Sequence, residues 1–373
     1  MRTGENIYKR KDGRWEARFK EGYKADGTII YKSLYAKTYR DVKQKLTDKI
    51  QHNDKIKPLK SKVNFDVISH EWLSSIQIKV KKSTFAKYTF IVDKHIISIL
   101  GNYLPNQITE DILNSFILNK YTNGSLKSSN PLSAKTVNDI VTVLKSIISY
   151  CNEKKYIENV FKLQLPKATN KELHILNVKE QQKLERYVYT KYDNSRLGIL
   201  ICLYTGLRIG EICALTWSDI DTKSGIIKVR KTIQRIGNTN KNSLSKTIVV
   251  IDTPKTLNSI RDIPIPIFIL NILKEQKRLH YSNEYLLSET HKYIEPRTYQ
   301  NRFKKYIREA GIDDINFHAL RHTFATRAIE NNVDIKSLSE ILGHSTVNMT
   351  LQKYVHSSME QKRSQLKKMQ LFI

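Results

Sequence analysis

Four short stretches in the C-terminal half of the sequence hold side chains that can act on a phosphate group. They read TGLRIGEICALTWSDID, TPKTLNSIRDIPI, HALRHTFAT and LGHSTVNMTLQKYVH. Tyr354 follows His344 by ten residues, and His318 and Arg321 are spaced to share one face of a helix. The candidate chemical residues are Arg208, Lys255, His318, Arg321, His344 and Tyr354.

Together, these residue types fit attack on a phosphodiester without a metal ion. Arginine guanidinium groups bind phosphate oxygens through two parallel hydrogen bonds, and two of them can neutralise the charge of a phosphoryl transition state. Histidines can donate to the same oxygens or transfer protons near neutral pH. A lysine can protonate an alkoxide leaving group, and a tyrosine can be the nucleophile of a covalent intermediate.

The sequence lacks the patterns that are typical of metal-dependent and nucleotide-dependent enzymes. The sequence has no carboxylate cluster for magnesium and no glycine-rich phosphate loop, so we expect no metal and no cofactor. Each candidate taken singly also has a structural explanation. Arg208 could pair with Glu211, the two histidines could cap helices, and Tyr354 is one of 20 tyrosines. Only the joint pattern favours chemistry.

The charge of the chain points to an anionic partner. Lys and Arg number 64 against 36 Asp and Glu, a formal net charge of +28 over 373 residues. This imbalance favours nucleic acid over a membrane surface. With no run of about 18 apolar residues and no apolar signal core, we expect a cytoplasmic protein without membrane contact. Cys151, Cys202 and Cys213 lie in apolar helical contexts and are predicted to be reduced core residues.

Residues 1–53 are predicted to form a small basic sheet followed by a helix. Asp12-Gly13 and Asp26-Gly27 each lie between strand-like runs, a pattern typical of hairpins. The helix is expected to begin after Thr38 as N-cap. Residues 1–62 hold 18 Lys and Arg against 8 Asp and Glu, a net of +10. Residues 54–63 are predicted to be a linker, because they are charged and lack apolar periodicity.

The rest of the chain is predicted to be mainly helical. Residues 64–165 show four amphipathic helices, and a second linker is expected at 165–172. Asn177 and Glu180 have the spacing of a capping box that opens the last domain, 173–373. Strands are expected around 225–236, 246–252 and 259–265, with Lys255 at a tight turn between strands. The fold class is therefore mainly α with small β elements, in a multidomain α+β chain.

Three of the four short stretches, TGLRIGEICALTWSDID, HALRHTFAT and LGHSTVNMTLQKYVH, resemble in order and spacing the three signature blocks of the tyrosine recombinase family, which includes phage and conjugative-transposon integrases. The resemblance implies that Arg208 is the first catalytic arginine and that Lys255 is the general acid for the departing 5′ oxygen. It makes His318 and Arg321 the paired His-x-x-Arg, His344 the second histidine, and Tyr354 the nucleophile that forms a 3′-phosphotyrosine. It implies that Glu211 steadies Arg208, and that His322 is a packing residue.

The resemblance also implies an organisation and a set of partners. Residues 1–53 would be an AP2-like arm-type DNA-binding domain, 64–165 a SAM-like helical core-binding domain, and 173–373 the catalytic domain. The partners would be double-stranded DNA at core and arm sites and a homotetramer on synapsed sites. An excisionase, a host DNA-bending protein, and the docking of the tail after Tyr354 stay open. The alternatives are a type IB topoisomerase and a DNA-binding regulator with a dead site.

Overall fold

The computed structural model describes residues 6–23, 29–53, 63–126, 128, 130–157, 161–167, 174–191, 193–240, 242–254 and 257–354. They divide into two compact units, one drawn from Met1–Ser75 and Ile91–Ala168, the other from Ile76–Phe90 and Thr169–Ile373. The expected boundaries at residues 53, 63, 165 and 173 therefore stay predictions. Asp26-Gly27, Lys255, the first linker except residue 63, and the tail after Tyr354 lie outside the described residues.

The chain begins with a three-stranded antiparallel sheet and a helix. Its elements are β1 (Ile7–Lys9), β2 (Trp15–Tyr23), β3 (Ile29–Ala36) and α1 (Tyr39–Asn53), in the sheet order β1-β2-β3. Gly13 turns between the first two strands with φ +84°, a value that favours glycine, which confirms the hairpin at Asp12-Gly13. The Thr38 hydroxyl accepts from the Asp41 amide, which confirms the predicted N-cap.

Four helical stretches follow, as predicted. The described helices are α2 (Phe65–Ile76), α3 (Lys82–Ile91), α4 (Ile97–Leu100), α5 (Glu110–Asn123) and α6 (Ala134–Glu153). A π-helical turn at Val92–Ile96 joins α3 to α4, so that these two form one stretch. Thr109 and Ser133 cap α5 and α6 through their hydroxyls.

The second unit includes most of α3 and, after Thr169, all the remaining described α-helices and two small sheets. Those helices are α7 (Val178–Thr190), α8 (Asn194–Thr205), α9 (Ile209–Ile212), α10 (Ile267–Lys277), α11 (Pro296–Glu309), α12 (His318–Glu330), α13 (Ile335–Leu342) and α14 (Val347–Tyr354). Its strands are β4 (Ile220–Asp221), β5 (Ile226–Val229), β6 (Thr232–Gly237), β7 (Thr247–Asp252) and β8 (Arg261–Pro264). The capping box is present: the Asn177 side chain accepts from the Glu180 amide, and the Glu180 carboxylate accepts in return.

The strand expected over 225–236 is two strands in different sheets. β5 pairs with β4 and β8, and its ladder with β8 ends at the pair Val229–Arg261. β6 begins three residues later and pairs only with β7. The expectation of one strand was therefore wrong, because the apolar run continues across a change of pairing partner.

A large apolar core holds most of the second unit together, and a smaller apolar cluster joins α12, α13 and Tyr354. Trp217, Tyr299 and Phe303 are the largest fully buried side chains of the large core, and α8 is buried along nearly its whole length. Cys202 and Cys213 lie in this core and Cys151 lies in α6; all three are free and buried, as predicted. Burial raises the pKa of the Cys151 thiol to about 12. Among the described residues, no helix is long and apolar enough to span a membrane.

Candidate active site

The buried helix α8 ends at a glycine that redirects the chain toward Arg208. Gly206 has φ +66°, in the left-handed region that favours glycine. A Cβ there would lie 2.7 Å from side-chain carbons of Phe324 and Leu342, so the position has no room for a larger residue. The turn brings Arg208 to the N-terminus of α9.

Glu211 holds Arg208 in place. Its carboxylate accepts from the Arg208 backbone amide at 2.9 Å and from the Arg208 guanidinium at 2.7 Å. A second guanidinium nitrogen donates to the Gly343 carbonyl at 3.2 Å. The Arg208 side chain still keeps 32% exposure, so part of its guanidinium faces solvent.

Arg321 comes from α12 and donates to two other backbone carbonyls, one of them next to the carbonyl that Arg208 binds. It is 3% exposed and donates to the Gly206 carbonyl at 2.8 Å and to the Leu342 carbonyl at 2.7 Å. The carbonyls of Leu342 and Gly343 are consecutive, so the C-terminus of α13 anchors both arginines. His318, one turn before Arg321 on the same helix, is exposed.

His344 and Tyr354 lie at the two ends of one short segment, and their rings face each other. Gly343 ends α13 with φ +65°, and His344 follows it. The His344 Nδ1 lies 2.8 Å from the Thr350 hydroxyl. Its ring is parallel to that of Tyr354 within 4°, with the ring centroids 6.4 Å apart. Tyr354, the last residue of α14, is 7% exposed.

The electrostatics of this cluster favour an anion. Burial, together with the charges of Arg321 and Arg208, lowers the pKa of His344 to about 3. Burial, with Arg208 close by, also lowers the pKa of Arg321 to about 9, which leaves this guanidinium charged at neutral pH. Burial raises the pKa of Tyr354, although Arg321 and Arg208 oppose the rise. A bound anion would relieve the repulsion among these cations.

Lys255 is the one predicted site residue that lies outside the described residues. The described residues on either side show that the expected tight turn was wrong. β7 ends at Asp252 and belongs to the sheet with β6, whereas β8 begins at Arg261 and belongs to the sheet with β5. A segment that links two sheets needs more chain than a hairpin turn does.

The structure adds Arg261, a site residue that sequence reasoning missed. Its guanidinium binds both Glu211 oxygens, at 3.1 and 2.9 Å, and donates to the carbonyls of Ser259 and Ile341. Arg261 is 8% exposed and Glu211 2% exposed. The alternation of side chains along a strand could have revealed this residue. Arg261 and Ile263 both lie on the buried face of β8, and a buried arginine needs a buried partner.

His322 is the second missed residue. It was expected to be a packing residue, but its Nδ1 lies 2.8 Å from the Tyr354 hydroxyl oxygen. Its ring is half-buried, 5.7 Å from the His318 ring and 5.6 Å from the Tyr354 ring. The signal was its place beside Arg321, one turn from His318, but the position of Tyr354 could not be read from the local sequence.

Comparison with known proteins gives consistent results. Residues 174–361 match the model of the phage integrase family. The chain is 27% identical to a XerC-like tyrosine recombinase of Caldanaerobacter subterraneus subsp. tengcongensis, over 91% of this chain and 92% of that protein. It is 31% identical to tyrosine recombinase XerA of Thermococcus onnurineus, over 64% of this chain and 77% of that protein. It is 24% identical to the ICEBs1 integrase of Bacillus subtilis, over 79% of each chain.

Solved structures show the same fold. The Tn1549 transposon integrase in complex with a circular intermediate DNA matches 82% of this chain and 99% of its own, with a TM-score of 0.66 and 21% identity. A lambda integrase dimer bound to a COC′ core site matches 95% of each chain, with a TM-score of 0.56 and 16% identity. Both similarities confirm a multidomain, mainly helical fold with small sheets.

We predict that Glu211→Gln lowers stability in a pH-dependent way. Burial alone would raise the Glu211 pKa, but hydrogen bonds from Arg261 and the charges of Arg261 and Arg208 lower it to about 2. Ionised Glu211 therefore adds stability above its ordinary pKa of 4.5, and this is lost as the pH falls through about 2. At pH 7 the variant should lose about 3 kcal/mol, the scale for breaking a buried pair.

Urea unfolding at pH 7 and pH 3 measures this effect. The gap between wild type and Glu211→Gln should narrow at pH 3. Glu295→Gln, which removes the partly exposed partner of Arg235, serves as the control and should change little. An equal gap at both pH values would show that the Glu211 charge is not what stabilises the site.

Proposed function

The chain belongs to the phage integrase family, and from this membership we propose that it is a site-specific DNA recombinase that works through Tyr354. It cuts one DNA strand by forming a 3′-phosphotyrosine and rejoins that strand to a new partner. By this reaction it integrates, and excises, a mobile element or prophage. The ICEBs1 and Tn1549 integrases, to which it is similar, are named for elements of this kind.

One observation carries the proposal: Tyr354 lies near a cluster in which, among the described residues, Arg208, Arg261 and Arg321 share the single carboxylate of Glu211. Arg208 and Arg321 are anchored by carbonyls and Glu211 and keep further N–H groups. Glu211 cannot neutralise both, because Arg261 already binds its two oxygens. A phosphodiester supplies the missing charge and the electrophile for the tyrosine.

The described side chains and, for Lys255, the resemblance to tyrosine recombinases support the following steps. Arg208 and Arg321 bind the non-bridging phosphate oxygens, and His318 and His344 donate to the same oxygens. The Tyr354 oxygen attacks phosphorus, a bond to phosphorus forms, and the bond to the 5′ oxygen breaks. Lys255 supplies the proton that the departing 5′ oxygen takes up. The bond energy is kept in the phosphotyrosine, so the reverse step needs no ATP.

We infer that DNA and further copies of this chain are its partners. The net charge of +28 suits a protein that binds duplex DNA. The lambda integrase, of similar fold, is known as a tetramer bound to a Holliday junction. We propose a tetramer of this chain on synapsed core sites here as well.

The N-terminal sheet is proposed to bind a second class of DNA site. The exposed rings of Tyr31 and Tyr35 lie on β3, with Arg18 over Tyr31 and with Arg10 and Arg14 over Tyr35. These stacked cations give the sheet a basic surface of the kind that can enter a major groove. Residues 1–53 would therefore read arm-type sites at a distance from the crossover.

Two other functions use similar residues. A type IB topoisomerase would form the same covalent bond but would not exchange DNA partners. A DNA-binding regulator with a dead site would bind DNA and form no covalent bond. The first experiment separates all three.

We predict that Tyr354→Phe abolishes covalent attachment to DNA and leaves binding nearly unchanged, because only the phenolic oxygen is lost. A suicide substrate with a nick near the cut site traps the adduct, which a denaturing gel detects. The wild type should trap DNA and join two sites, and a topoisomerase would only trap. Tyr281→Phe, at an exposed tyrosine, is the matched control. An adduct in Tyr354→Phe would overturn the assignment.

We predict that Lys255→Ala is rescued by a substrate whose 5′-bridging oxygen is replaced by sulfur, because a thiolate leaves without a proton. Cleavage of the ordinary substrate should fall by about 10²–10⁴-fold, the usual range for a general acid. Lys246→Ala, at an exposed lysine before β7, should cleave both substrates normally. Equal defects of Lys255→Ala on both substrates would remove Lys255 from this role.

We predict that deletion of residues 1–62 removes binding to the distant sites and keeps cleavage of core sites. A separate binding module on a linker adds a second DNA contact without contributing to the chemistry. Footprinting on DNA that carries both kinds of site measures the loss. If the same sites stay protected, the sheet does not bind arm-type DNA.

A further inference from the structure

The Tyr354 hydroxyl has a specific neighbour that the proposed steps do not use. The His322 Nδ1 lies 2.8 Å from the phenolic oxygen, within ordinary hydrogen-bonding distance. His322 is on α12, directly after Arg321 and four residues after His318. The contact joins residues 32 positions apart, so it is made by the packing of α14 on α12.

The attack by Tyr354 requires a proton acceptor. A phenol is a weak nucleophile, and burial raises the pKa of Tyr354 above its ordinary value of 10. At neutral pH the hydroxyl therefore keeps its proton until a nearby base removes it. Lys255 cannot be that base while it serves as the acid at the 5′ oxygen.

Among the described side chains, the neighbours of the hydroxyl differ in what they can do. The charge of Arg321 acts on Tyr354, but a guanidinium can only donate and cannot take up the proton. His344 stacks on the ring and has its Nδ1 on the Thr350 hydroxyl. His318 is exposed and belongs with the phosphate. His322 alone in this group points a ring nitrogen at the hydroxyl.

We propose that His322 is the proton acceptor for Tyr354 in cleavage and the proton donor to it in rejoining. This inference rests on the proposed recombinase function. As the bond from the Tyr354 oxygen to phosphorus forms, the phenolic proton moves to His322 Nδ1, and Lys255 protonates the 5′ oxygen. In rejoining, the 5′ hydroxyl loses its proton to Lys255, and His322 returns its proton to the Tyr354 oxygen.

The surroundings keep His322 in the form that this role needs. Burial, together with the nearby charges of His318, Lys353 and Arg321, lowers the pKa of His322 to about 4. The imidazole is therefore neutral at pH 7, and its Nε2–H tautomer leaves Nδ1 free to accept. The phosphate, held beside the same cations, stabilises the imidazolium that proton transfer creates.

The test measures single-turnover cleavage of the nicked suicide substrate by His322→Asn and His322→Ala. Asn can place an oxygen near the position of Nδ1, so it can keep the hydrogen bond, but it cannot take up a proton. Both variants should cleave about 10²–10⁴-fold more slowly at pH 7 and bind DNA as the wild type does. His291→Asn, at an exposed histidine, is the matched control and should cleave normally.

Two further readouts separate proton transfer from a structural role. The defect should shrink about tenfold for each pH unit as the pH rises, because solvent hydroxide replaces the missing base. Added imidazole should restore part of the activity of His322→Ala. The 5′-bridging sulfur should not rescue either variant, because it relieves the leaving group and not the nucleophile.

The outcomes are distinct. If the wild type forms no adduct at Tyr354, the proposed function fails. If the wild type forms one and His322→Asn cleaves at the same rate, the His322 inference alone fails. Faster cleavage by the variants would mean that the contact restrains Tyr354, which also overturns it. A slow variant whose pH profile runs parallel to that of the wild type would assign His322 a structural role.

Discussion

The site depends on one buried carboxylate. Glu211 is 2% exposed, and an ion at such depth is stable only when it is paired and hydrogen-bonded. Arg261 binds both of its oxygens, and Arg208 binds it through the backbone and the guanidinium. Since Arg261 also donates to the Ile341 carbonyl, this carboxylate ties β8, α9 and α13 together.

The C-termini of two helices also hold the arginines of the site in place. The carbonyls that end α8 and α13 carry partial negative charge and have no partner within the helix. Arg321 donates to Gly206 and Leu342, and Arg208 donates to Gly343. Both arginines are thus oriented before a phosphate arrives, and little reorganisation is left for the reaction itself. Gly206 and Gly343 are needed because both turns have positive φ.

Local rules predicted much of this from the sequence. The N-cap at Thr38, the capping box at Asn177 and the hairpin at Gly13 each depend on residues a few positions apart. The stretches around Arg208 and Arg321 were recognised as groups of residue types that act together. These features need no knowledge of how distant segments pack.

Packing over long distances in sequence limited the rest. The role of Arg261 depends on Glu211, 50 residues away, and that of His322 on Tyr354, 32 residues away. Both looked ordinary alone: one is a charged residue in a short strand, the other a second histidine on a helix. The apolar run from residue 225 to 236 likewise did not reveal that β5 and β6 have different partners.

The proposed function stands or falls on whether Tyr354 becomes covalently joined to DNA at a 3′ phosphate. The direct measurement is peptide mapping by mass spectrometry of the adduct trapped on a nicked suicide substrate, after protease and nuclease digestion. The account predicts one nucleotide-bearing peptide, which contains Tyr354 and carries a 3′-linked phosphate on the tyrosine oxygen. A nucleotide on another of the 20 tyrosines, or a 5′ linkage, would contradict it.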